Sequence, residues 1–191
     1  MTSHHDRSTD ERATYLVAVP LPDAASLVAP WRHTNRLGAH VTLLAPFASS
    51  PIDAATRHRF ARHLRREPRF PVTLHSLGWF DQRVVYVLPD QGPRWEKLAR
   101  AAADSLNRAT DATATPHVTV AKGLSRDELA QVAARTSVRL PWNATARSAV
   151  LYQLDRSCGR WHPLVRAAFA GASPAGGEPA PRGGRRAPAQ R

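Results

Sequence analysis

The chain has 191 residues, 42% of them apolar and 22% charged, which suits one globular domain with a proper core and is short for two. Its longest apolar runs, residues 15–21 and 84–88, fall far below the roughly 20 residues that cross a bilayer. No apolar signal core opens the chain, and a lone Cys158 excludes an internal disulfide framework, so a cytoplasmic protein is expected.

The formal charge is +12. Residues 171–191 hold four arginines against one glutamate, and residues 1–13 hold two arginines against three acids. Most of the positive charge therefore belongs to residues 14–170, which favours a polyanionic partner such as RNA. A bias of composition towards arginine is the competing explanation, since lysine occurs only at Lys97 and Lys122.

In chain order, residues 1–13 read as a loose leader. Residues 15–20 (YLVAVP) read as a buried strand, and residues 24–31 as a short helix ending near Pro30. Residues 40–44 (HVTLL) form a strand that Pro46 should stop. Ser50-Pro51 has the pattern of a helix start, with Phe60, Ala61 and Leu64 facing inward and His58 and His63 outward. Residues 71–80 and 84–88 look like two strands joined through Asp81-Gln82-Arg83.

The clearest helix covers residues 94–108, where Trp95, Leu98, Ala99, Ala102 and Leu106 share one stripe. Residues 116–121 (PHVTVA) are again a strand. Ser125 and Glu128 form a capping box for a helix to about Thr136. Residues 149–154 give a further strand, and residues 161–169 close the domain. Residues 171–191, rich in Gly, Pro, Ala and Arg, lack the apolar face that packing requires and form a disordered tail. This order suggests a weak internal duplication. The expected fold class is α+β and bilobal: two pseudo-symmetric lobes, each an antiparallel sheet backed by helices, with a central cleft.

The two HVT segments carry the chemistry. On a strand, alternate residues share a face, so His40 pairs with Thr42 and His117 with Thr119, while the branched apolar residues between them point into the lobe. Two facing lobes would then line one cleft with two imidazole–hydroxyl pairs. In-line displacement at phosphorus needs a base on one side and an acid on the other. Histidine serves both roles near neutrality. Threonine hydroxyls can donate to the non-bridging oxygens.

These residues resemble the two-histidine (2H) phosphoesterases, which include the 2′-5′ RNA ligases and RNA 2′,3′-cyclic phosphodiesterases. The matching segments are HVTL at 40–43 and PHVTVAK at 116–122, and the likeness spans roughly residues 14–169. It implies a bilobal fold with an internal pseudo-twofold and no metal or other cofactor. It carries the catalytic histidines onto His40 and His117, and the phosphate-binding hydroxyls onto Thr42 and Thr119. Many bacterial members have arginine where this chain has Lys122, which keeps the charge but loses the planar fork; Lys122 is expected as a phosphate contact, with an exposed structural lysine as the other reading.

The resulting expectation is a monomeric, metal-independent enzyme that hydrolyses 2′,3′-cyclic phosphate RNA ends to 2′-phosphates, with 2′-5′ ligation as the same chemistry run with a 5′-hydroxyl. His117 is expected to act as base and His40 as acid in hydrolysis. Two alternatives are an enzyme for a small cyclic phosphate, such as a cyclic nucleotide or ADP-ribose cyclic phosphate, and a non-catalytic RNA-binding module. Phe47 is a candidate for base stacking, with a core position as the other reading. Trp79, Tyr152 and Trp161 are expected in the core. His33, His75 and His162 lack a metal-like spacing to any partner.

Overall fold

In the computed structural model, residues 12–31, 37–110 and 115–171 are described; the leader through residue 11 and the tail from residue 172 lie outside them. Eight strands form two four-stranded sheets, and every strand pair is antiparallel. The first sheet holds β1 (Ala13–Pro20), β2 (His40–Ser49), β7 (Ser148–Asp155) and β8 (Arg160–Ala168), in the order β2-β1-β7-β8. The second holds β3 (Phe70–Phe80), β4 (Val84–Pro89), β5 (Val118–Lys122) and β6 (Trp142–Ala146), in the order β5-β4-β3-β6. The two orders correspond: in each sheet the strand of an HVT motif lies at one edge, beside the strand that precedes it in sequence. The expected α+β architecture is what the chain adopts.

Helices α2 (Ala54–Leu64) and α3 (Gly92–Ser105) pack on each other and back the first sheet through β8 and β2. Helix α4 (Arg126–Ser137) lies across β3, β4 and β5, and the short α1 (Ala25–Val28) meets β5. One apolar core runs through both sheets and these helices, with Trp95, Tyr15, Phe60 and Phe70 among its largest buried side chains. The other face of the first sheet carries a smaller apolar layer of Leu16, Ala18, Val150 and Tyr152, packed with Leu37 and Trp161.

Several local expectations change. Strand β2 does not stop at Pro46 but continues to Ser49. It is an edge strand, so the missing proline N–H costs no ladder bond, and its pairing with β1 slips between Tyr15 and Val17. Helix α2 starts at Ala54 rather than at Ser50-Pro51, because the Asp53 carboxylate accepts from the Thr56 N–H at 2.7 Å. The segment after Leu21 is one turn of α-helix flanked by two 3₁₀ turns. Strand β6 was not legible, since its buried positions are only Ala144 and Ala146.

Other local signals translate directly. The Ser125–Glu128 capping box forms, with the Glu128 carboxylate accepting from the Ser125 N–H at 2.8 Å. Asp81 and Gln82 both take positive φ, 46° and 54°, and close the β3–β4 hairpin in the sense that matches strand twist.

Candidate active site

The edges β2 and β5 approach each other where the two sheets meet. There a cleft of about 430 Å³ is lined by His40, Thr42, His117, Thr119 and Lys122, together with Leu16, Leu37, Ala45, Pro46 and Trp161. Five of the six residues singled out as candidates therefore share one cavity. They come from sequence positions nearly eighty residues apart.

Each imidazole is oriented in the same way by different local chemistry. His40 Nδ1 lies 2.8 Å from the Gly38 carbonyl, and His117 Nδ1 lies 2.8 Å from the Thr115 carbonyl. A carbonyl can only accept, so each Nδ1 carries the hydrogen, and each Nε2 is the ring nitrogen turned to the far side. Gly38 reaches this geometry at φ 74°, in the left-handed region that a side chain resists. In the second motif the intervening residue is Pro116, whose ring restricts φ.

Beyond each motif the strand carries the same irregularity. Ala18 pairs with Thr42 while Val17 pairs with Leu44; likewise Tyr86 pairs with Thr119 while Val85 pairs with Ala121. One extra residue, Leu43 in β2 and Val120 in β5, is inserted at the same offset from the histidine. These bulges put two consecutive apolar residues into the core, Leu43-Leu44 and Val120-Ala121. They also shift the alternation by one. Lys122 and its counterpart Ala45, which strict alternation from the histidines would turn inward, both line the cleft.

The electrostatics of the pair are unequal. Burial pushes the His40 pKa below its ordinary 6.5; the Gly38 carbonyl opposes this, while the positive charges of His117 and Lys122 reinforce it. His40 is therefore held towards its neutral form.

Phe47 is not brought to the cleft. Its ring sits 5.8 Å from that of Tyr15, on the core side of β2, and the Arg108 guanidinium lies 4.2 Å over its face. Two of the tryptophans also depart from expectation. Trp161 is half-buried in the cleft wall, and Trp79 is 37% exposed near the tip of the β3–β4 hairpin. Tyr152 is buried as expected. The cleft-lining Leu16 had one sequence signal: the run YLVAV is apolar at every position, so both faces of β1 had to be covered.

His162, which has no partner by sequence spacing, lies 3.8 Å from the Asp155 carboxylate across the β7–β8 turn. Asp155, Cys158 and His162 place their ligand atoms within 4.8 Å of one another. Asp155 is lowered to about 2, chiefly by the Ser157 hydroxyl. This is the one such group among the described residues, and none of its members lines the cleft.

A family model for the 2′-5′ RNA ligase superfamily matches residues 20–157, a span that contains both motifs, the whole second sheet and strands β2 and β7 of the first. The chain belongs to that superfamily. Among solved structures, this superfamily member is similar to Escherichia coli LigT in its apo form, with a TM-score of 0.57 and 21% identity over 83% of this chain and 98% of that one. It is also similar to TT0787 of Thermus thermophilus, with a TM-score of 0.55 and 17% identity over 81% and 97% of the two chains. A structure described as a phosphoesterase matches at a TM-score of 0.55 and 22% identity, covering 83% of this chain and 99% of that one. At these identities the likeness establishes the fold. No curated protein sequence matches the chain. Among the described residues, no helix is long and apolar enough to cross a membrane.

Proposed function

We propose that this 2′-5′ RNA ligase superfamily protein hydrolyses 2′,3′-cyclic phosphates at RNA ends to 2′-phosphates, using His40 and His117 as its acid–base pair. The observation that carries the reading is the duplicated imidazole geometry. Two histidines in one cleft, each anchored through Nδ1 to the carbonyl two residues before it, keep two Nε2 atoms for proton transfer. LigT, which shares this fold, has been crystallised in complex with phosphate and with 3′-AMP, and a phosphate-bearing ligand for this chain is in keeping with that.

In the proposed reaction, His117 Nε2 takes a proton from water as the water oxygen attacks phosphorus. The P–O3′ bond opposite the attack breaks, and His40 Nε2 delivers a proton to the departing 3′-oxygen. The Thr42 and Thr119 hydroxyls donate to the non-bridging oxygens, and Lys122 supplies positive charge beside them. A 5′-hydroxyl in place of water would leave a 2′-5′ diester by the same steps. The acid role of His40 is coupled to substrate. A bound phosphate's negative charge offsets the positive charge of Lys122 and raises the protonated fraction of His40.

A cleft of about 430 Å³ has the size for one nucleotide, which suits both the terminal nucleotide of an RNA and a small cyclic phosphate. An assay in chelator, against 2′,3′-cyclic mononucleotides and cyclic-ended oligonucleotides, separates the two by which is turned over faster. His40→Ala and His117→Ala should each lower turnover by about 10²–10⁴-fold, and Thr42→Ala or Thr119→Ala by less. Wild-type rates in either histidine variant would end the acid–base reading, and RNA binding without turnover at any pH would favour a binding module.

A further inference from the structure

One aromatic group beside the cleft has no part in the phosphate chemistry. On the second sheet, Gly78, Tyr86 and Thr119 are paired in a row across β3, β4 and β5. The Tyr86 ring lies over Gly78: a Cβ there would stand 2.6 Å from the Tyr86 hydroxyl oxygen and closer still to ring carbons, so only glycine lets the ring lie flat. Phe80 stacks on Tyr86 at 4.1 Å between centroids and 25° between planes. Phe80 also meets the His117 imidazole at 4.9 Å and 77°, and Tyr86 meets it at 5.3 Å.

These contacts use one face and one edge of Phe80. The residue is nonetheless 36% exposed, among the few large apolar side chains in the described structure that are, so the face turned away from Tyr86 is open to solvent. Burying an aromatic ring is favourable, and a monomeric fold normally does so. Here the ring is held rigidly, by a stack resting on a glycine, with its free face next to a phosphate-handling histidine. A flat, preorganised π face at that place suits a flat, π-rich ligand.

We propose that the open face of Phe80 is a nucleobase-stacking site beside His117, holding the base of the cyclic nucleotide whose phosphate is bound between His40 and His117. This rests on the phosphoesterase reading and adds to it: the substrate is a nucleotide rather than a bare sugar phosphate. Stacking on a π face is tolerant of base identity, so purines and pyrimidines should both use it, with purines ahead through their larger area.

The test compares Phe80→Leu and Phe80→Trp, which keep a bulky apolar side chain under Tyr86, on adenosine 2′,3′-cyclic phosphate and on the base-free ribose 2′,3′-cyclic phosphate. Phe80→Leu should raise KM for the adenosine substrate about tenfold with kcat changed less than about twofold, leave the base-free substrate unaffected, and be rescued by Phe80→Trp. Equal losses on both substrates would mean that Phe80 merely supports His117, and would overturn the proposal. So would an unchanged KM in Phe80→Leu, or a base-dependent KM effect at Trp161→Leu instead. Absence of turnover of either substrate by the wild-type protein would count against the phosphoesterase reading itself, and is distinguished from failure of the stacking site by that control.

Discussion

His40 and His117 are alike in hydrogen bonding and unlike in setting, and the difference has a measurable sign. The folded His40 pKa is depressed below 6.5, first by burial and then by the charges of His117 and Lys122. The unfolded chain therefore binds the extra proton in the window between the depressed value and about 6.5. The stabilisation linked to His40 is present above that window and is lost as pH falls through the folded pKa. An anion against the two cations should reverse part of the shift. NMR titration of the His40 ring should show its midpoint moving up towards 6.5 when sulfate, which does not titrate in this range, fills the cleft. An unmoved midpoint at saturating sulfate would show that the anion is not held beside His40. The choice of His and Thr at these positions was legible from the strand pattern. The inequality of the two imidazoles was not, because burial of His40 and its proximity to Lys122 are made by chain segments distant in sequence.

At the scale of elements, the two edge strands do more than present alternating side chains. Bulges at Leu43 and Val120, three residues after each histidine, bury a second apolar residue and return the next side chain to the cleft. The doublets LL and VA after each HVT carry a trace of this. A period-two reading alone, however, sends Lys122 to the wrong face. Helix starts show the same limit: Ser50-Pro51 has the pattern of a cap, but Asp53 makes the bond. The capping box of α4 is local in every part, and so was readable. Since α4 covers the sheet that carries Thr119 and backs it from outside the cleft, Ser125→Ala should lower unfolding free energy by about 1 kcal/mol. Chemical denaturation checks this, with kcat and KM at low temperature expected to stay at wild-type values; a changed kcat would tie α4 to the chemistry.

At the scale of the molecule, two sheets with matching strand orders put their motif strands edge to edge, and the cleft exists only at that junction. The excess of positive charge in residues 14–170 bears on what reaches it. If RNA beyond the terminal nucleotide is held, KM for a cyclic-ended oligonucleotide should rise with salt more steeply than KM for a cyclic mononucleotide. Each extra phosphate contact adds about 0.7 to the logarithmic slope. Equal slopes would assign the arginines to composition rather than to binding and would favour the small cyclic phosphate as substrate.

By itself the sequence determined the α+β class, the duplication, the long helix α3, though it runs over Gly92–Ser105 rather than to residue 108, and the identity of both imidazole–hydroxyl pairs. Those features depend on periodicity, capping and side-chain parity, all of which act over a few residues. Only the tertiary structure decided the return of β7 and β8 to the first sheet, the position of Lys122 on the cleft face, the removal of Phe47 from the site and the placement of Trp161 and Phe80 beside it. Each of these depends on which strand pairs with which and on where the register slips, and such choices are made by contacts between segments that the chain order keeps apart.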